Sequence, residues 1–149
     1  RIEQALNDHV PDIVIIALGA NDGLQGRSIT SIYENLKAII LTCKRYNATP
    51  LLVGMQLPPN YGISYTQKFR DIYPRLAQDQ QLQLASFLME GFGDRPELFQ
   101  ADGIHPTIQA QEKMLDNVWP ALAAVLKSIR APVTSNESAS KTNMETTLP

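Results

Sequence analysis

The run Ile13-Val14-Ile15-Ile16-Ala17-Leu18, followed at once by Gly19-Ala20-Asn21-Asp22-Gly23, constrains this chain more than any other feature. Its four successive β-branched residues lose side-chain freedom in a helix but pack well on a pleated surface, so the run reads as a strand. Having no polar alternation, it reads as a strand buried on both faces, the kind found in parallel sheets with helices on each side. It is also far shorter than the roughly 20 apolar residues that span a bilayer, and no longer apolar run exists, so no transmembrane segment is expected.

The segments around this run continue the alternation. Residues 1–9 have helix-forming composition and end before Pro11. Between Ser28 and Asn47, Ile29, Ile32, Leu36, Ile39, Ile40 and Cys43 keep the three-and-four spacing of one helix face, with Ser31 and Glu34 placed as a capping box. Pro50 to Gln56 is a second apolar strand. Residues 66–80 put Phe69, Ile72, Tyr73, Leu76 and Ala77 on one stripe, which Pro74 should kink. Gln83 to Phe87 reads as a third, shorter strand. A last helix from about Thr107 to Lys127 carries Ile108, Leu115, Val118, Trp119, Leu122, Val125 and Leu126 as its buried face, with Thr107 as cap and Pro120 as a bend. Strands alternating with helices across short connections predict a three-layer α/β/α domain over residues 1–130. Residues 131–149, rich in Ser, Thr and Asn without apolar periodicity, are expected to form a disordered tail.

Composition narrows the function classes. With 13 Lys and Arg against 15 Asp and Glu, the formal net charge is −2, which gives no basic footprint for nucleic acid. The one cysteine, Cys43, sits among Ile39, Ile40 and Leu41 and reads as a buried thiol, and two separated histidines do not suggest a metal site. His9, on a polar helix, reads as a solvated surface residue.

Ligands of parallel α/β sheets bind outside the carboxyl ends of the strands, so the loops leaving those ends are where chemistry is expected. In the first, Gly19, Gly23 and Gly26 do not have the G-x-G-x-x-G spacing of a dinucleotide site, and there is no Gly-Lys-Ser/Thr phosphate loop. Two readings of Asn21 stand: a turn former through its own backbone bonds, or an amide that donates to a developing oxyanion. The segment Asp102-Gly103-Ile104-His105-Pro106 likewise reads either as a turn before a helix or as an aspartate orienting an imidazole, leaving Nε2 free as a base. A third loop, Leu57 to Gly62, is stiffened by Pro58 and Pro59. Its Tyr61, with Tyr65 beyond it, either lines an acyl pocket or packs over the sheet.

GANDG after a buried strand and DGIHP before the terminal helix resemble blocks III and V of the SGNH (GDSL-type) hydrolases. LPPNYG, YTQKFRDIYPRLA and FLMEG extend the likeness to the multifunctional acyl-CoA thioesterase I/lysophospholipase/arylesterase branch, over about residues 1–127. The resemblance implies a flavodoxin-like fold and hydrolysis of a small acyl ester or thioester without a cofactor. It makes Asn21 an oxyanion donor, His105 the general base, Asp102 its orienting partner and Gly19 the residue that shapes the supporting loop. It also implies a periplasmic or secreted protein, although no signal segment is visible.

The family's nucleophile block, G-D-S after its first strand, has no counterpart here. None of Ser28, Ser31, Ser64, Ser86, Ser128, Ser135, Ser138 or Ser140 has a G-D-S or G-x-S-x-G context. The expectation is therefore a C-terminal part of such a hydrolase that lacks its first strands, leaves IVIIAL as an unpaired edge and is nearly inactive alone. Two other readings stay open: a non-catalytic α/β binding domain, and an acyltransferase in which an alcohol replaces water.

Overall fold

The computed structural model describes residues 1–130, so the expected tail at 131–149 lies outside the described residues. In chain order the elements are α1 (Ile2–His9), β1 (Ile13–Ile16), α2 (Ala20–Leu24), α3 (Ile29–Arg45), β2 (Thr49–Val53), α4 (Ile63–Gln80), β3 (Leu84–Ala85) and α5 (Gln111–Arg130). Short 3-10 turns occupy Pro59–Tyr61, Pro96–Leu98 and Ile108–Ala110.

The three strands form one parallel sheet in the order β1-β2-β3, with Ile13 opposite Thr49, Ile16 opposite Leu52, and Leu52 opposite Leu84. Because successive side chains on a strand point to opposite faces, β2 feeds two cores. Leu52 joins Ile16, Leu6 of α1, Ile32, Leu36, Ile40 and Cys43 of α3, and Phe69, Ile72, Tyr73 and Leu76 of α4. On the other face, Leu51 and Val53 join Ala85 and the α5 residues Val118 and Val125. These are the three layers expected, and the apolar faces of α3 and α4 are those read from the spacing. Cys43 is fully buried, and burial pushes its thiol up from the ordinary value, as an inert core residue requires.

Several expectations are corrected. The cap of α3 is Ser28, not Ser31: Ser28 has extended backbone and its Oγ accepts from the Ser31 amide at 3.1 Å, because Ile29 and Ile32 already lie within the helix. Helix α4 begins at Ile63, three residues earlier than expected, and continues through Pro74, whose neighbours Ile72, Tyr73, Leu76 and Ala77 are all buried. That burial offsets the missing backbone bond. The third strand shrinks to two residues. Thr107 precedes a 3-10 turn without capping it, since its Oγ1 donates to the Leu98 carbonyl at 3.2 Å.

The largest departures concern apolar residues that the structure leaves exposed. Strand β1 is fully buried only at Ile16, with Ile15 48% exposed and Leu18 beyond the strand 52% exposed, while Ile108, Leu115 and Trp119 of the expected α5 face are 81%, 56% and 52% exposed. The reason is geometric. Helix α5 packs on β2 and β3, and β1 pairs with β2 alone, so the sheet ends before the surface that would meet the rest of the α5 stripe. An apolar, unpaired edge is a template for association with another chain. Ile15→Lys should accordingly reduce self-association of the 149-residue chain in light scattering without lowering its melting temperature; unchanged association would place the contact elsewhere.

Candidate active site

Beyond Ile16 the chain leaves the carboxyl end of β1 and turns at Gly19, whose φ of 105° lies in the left-handed region. Gly19 also has no room for a side chain, since a Cβ there would come within 2.6 Å of the Tyr73 hydroxyl. Its carbonyl accepts from the Gly23 amide at 3.0 Å, opening the five-residue helix α2, of which Asn21 is the second residue. The Asn21 side chain is exposed, and no hydrogen bond among the described residues engages it. It is therefore free to donate to a ligand.

Helix α4 lies behind this loop. Tyr73 Oη donates to the Leu18 carbonyl at 3.0 Å, and Tyr65 Oη donates to the Arg27 carbonyl at 2.7 Å and more weakly to that of Gly23 at 3.3 Å. Between them, Phe69 occupies the space that a side chain at residue 23 would need: a Cβ on Gly23 would lie 2.7 Å from Phe69 Cε2 and 2.8 Å from Leu57 Cδ2. Burial raises the Tyr73 phenol far above its ordinary value, so it remains a protonated donor. Tyr65 thus faces the α2 loop from α4, and Tyr61 is partly exposed in the 3-10 turn before α4.

His105 is presented by a separate device. Phe99 and Pro106 form an antiparallel bridge, closed by Gln100 N donating to His105 O and Thr107 N to Leu98 O, both at 2.8 Å. The loop inside turns at Gly103, whose φ is 66°. A small core of Phe92, Leu98 and Ala110 underlies it. Asp102 Oδ1 accepts from the amides of Ile104 and His105 at 2.9 and 3.0 Å, which fixes the carboxylate, and Oδ2 meets His105 Nδ1 at 2.7 Å. The imidazole bond and the two backbone amides hold the Asp102 carboxyl well below the usual carboxylate range. An ionised partner at Nδ1 favours the tautomer protonated there and leaves Nε2 as the acceptor.

The structure thus brings Asp102 and His105 into direct contact, as the motif suggested. Asn21 stands on a different loop, but one leaves the carboxyl end of β1 and the other follows the carboxyl end of β3 in the same parallel sheet. His9 is exposed at the end of α1, apart from both. Among the described residues no serine hydroxyl bonds the His105 ring. What the sequence reading missed is the bracing of the Asn21 loop. Tyr65, Phe69 and Tyr73 recur every fourth residue, a spacing that was visible, but hydroxyls on a buried stripe gave no sign of where they bond.

A GDSL-like lipase/acylhydrolase family model matches residues 1–113. The chain belongs to that family. It is 40% identical over 126 residues to the esterase TesA of Pseudomonas aeruginosa, a match covering 85% of this chain and 63% of that protein. It is also 40% identical over 121 residues to the thioesterase 1/protease 1/lysophospholipase L1 of Escherichia coli, covering 81% and 57%. The crystal structure of TesA superposes with a TM-score of 0.77 at 38% identity, covering 84% of this chain and 69% of that one. The family and α/β fold inferred from GANDG and DGIHP are thereby shown, and the chain spans about six-tenths of the length of these curated relatives.

Two expectations follow for the site. The Asp102 carboxyl should show no titration in its carbon-13 shift until the pH falls below its ordinary value of 3.8. With a folded value below the unfolded one, its stabilising effect is present above the unfolded value and is lost only as pH falls through the lower folded value. A midpoint at or above 3.8 would mean that the three bonds are not held in solution. Gly19→Ala should destabilise the fold by about 1–3 kcal/mol in denaturant unfolding, because it adds both left-handed strain and a clash with Tyr73.

Proposed function

We propose that this chain supplies the general base, its orienting carboxylate and one oxyanion donor of a serine esterase or thioesterase. The observation that carries the reading is the 2.7 Å contact between His105 Nδ1 and an Asp102 carboxylate already fixed by two backbone amides, with Nε2 turned over to other work. A surface turn needs the amide bonds but not the imidazole. Membership of the acylhydrolase family and the names of its relatives support an acyl ester or thioester as substrate.

In this mechanism a serine Oγ attacks the acyl carbonyl while His105 Nε2 takes its proton. The carbonyl oxygen, now negative, accepts from the Asn21 amide, and Asp102 stabilises the imidazolium. Collapse breaks the bond to the alcohol or thiol, which leaves with the proton from Nε2. Water then attacks the acyl-enzyme with His105 again as base, releasing the acid and restoring the serine. The serine comes from a segment upstream of these residues, corresponding to part of the length that the relatives have and this chain does not. Without it the chain is nearly inactive, since loss of a serine nucleophile costs on the order of 10⁶ in turnover in a comparable triad. Residues 1–130 form the C-terminal part of the hydrolase domain.

Hydrolysis of p-nitrophenyl butyrate by the purified, folded chain and by its His105→Ala variant should be equal and negligible. Joined to the upstream coding segment, the wild-type chain should turn over, His105→Ala should abolish this, and Asn21→Ala should lower kcat about 10²- to 10³-fold. Turnover by the chain alone that vanishes with His105→Ala would instead show that it carries its own nucleophile.

A further inference from the structure

A five-residue helix cannot hold its own shape, because the cost of nucleating a first turn exceeds what one or two intrahelical bonds return. Helix α2 carries Asn21 at its second position, yet an oxyanion donor is effective only if it is fixed before charge develops. The orientation of α2 must therefore come from outside: Ile32 and Leu36 of α3 lie beside Gly19, Leu57 lies beside Gly23, and one stripe of α4 adds the side-chain hydrogen bonds to the backbone at both ends. Tyr73 ties the residue before Gly19, Tyr65 ties the exit at Arg27 and Gly23, and Phe69 fills the space against Gly23. These three side chains are spaced four apart, one above another on the same helix face. Gly19 and Gly23 face Tyr73 and Phe69 at distances that a Cβ essentially never shows.

We propose that Tyr65, Phe69 and Tyr73 form an aromatic rail in α4 that positions the Asn21 amide, with Tyr73 and Tyr65 acting as positioning residues at the two ends of α2. The proposal rests on the reading of Asn21 as an oxyanion donor. Tyr73 and Phe69 also meet edge to face, with ring centroids 5.6 Å apart, so these two rings brace each other. Each hydroxyl works through the backbone carbonyl it holds. Arg27 adds an ion pair to Asp22 at 3.2 Å, which closes the exit of the loop from the solvent side.

Two measurements test this. In the chain as given, Tyr73→Phe and Tyr65→Phe should each speed amide hydrogen exchange at Gly23 and Gln25 by about tenfold, leaving α3 unaffected. Unchanged exchange in both variants would overturn the rail, whatever the enzyme does. In the full-length protein, Tyr73→Phe should lower kcat by about tenfold with KM unchanged, and should cause no further loss in an Asn21→Ala background. A merely structural role predicts losses that multiply in the double variant, and that result, or an unchanged kcat, would sink the proposal while leaving Asn21 in place. If Asn21→Ala itself is silent, the oxyanion reading fails first, and the catalytic meaning of the rail fails with it. Tyr65→Phe, at the more exposed end, serves as the second variant should Tyr73→Phe not fold.

Discussion

Parallel pairing of β1 with β2 is the constraint on which everything else depends. It requires a crossover, which α3 supplies, and the crossover places both strands' carboxyl ends on one edge of the sheet. Repeating the step through α4 brings β3 into the same orientation, so the loops that follow β1 and β3 emerge on the same side. Asn21 and His105 therefore stand on loops that leave the same edge of the sheet. The energetic basis is ordinary: Leu51, Leu52, Val53 and Ile16 are essentially inaccessible to solvent, and each aliphatic side chain so buried contributes about 1.5–3 kcal/mol against the entropy of ordering the chain.

The two halves of the site are built on opposite principles. His105 and Asp102 are held by bonds among residues 98–107, so their relation is a property of one short loop. The loop that carries Asn21 is held by partners distant in sequence: Tyr65 bonds across separations of 38 and 42 residues and Tyr73 across 55. One half is preorganised by local geometry, the other by the packing of a helix behind it. Placing Asn21 on a glycine-rich turn lets the backbone approach α4 closely, and the price is that a side chain at Gly19 or Gly23 would clash with Tyr73 or Phe69.

Much of this was legible in advance, for reasons that differ from element to element. The stripes Ile32-Leu36-Ile40-Cys43 and Phe69-Ile72-Tyr73-Leu76 announced their helices because burial follows the helical period, and Asp102-Gly103-Ile104-His105 announced its contact because that contact is local. Periodicity fared worse in α5, where Leu115 and Trp119 share the apolar face of Val118 and Val125 but meet no sheet. A helical pattern specifies which residues face one way, not how far the surface opposite extends. Strand β3 was read too long for a similar reason, since an apolar segment can pack without completing a hydrogen-bonded ladder. The rail on α4 was invisible because its bonds run to backbone carbonyls, which every sequence has.

The hairpin that bears His105 has a consequence for how such a site would respond to substitution. The imidazole and its carboxylate are fastened within ten residues, whereas the Asn21 loop is tied to α4, so a substitution that shifts α4 would move α2 without unpairing them. On the proposed roles, such a shift would weaken the hold on the charged intermediate and leave the base in place.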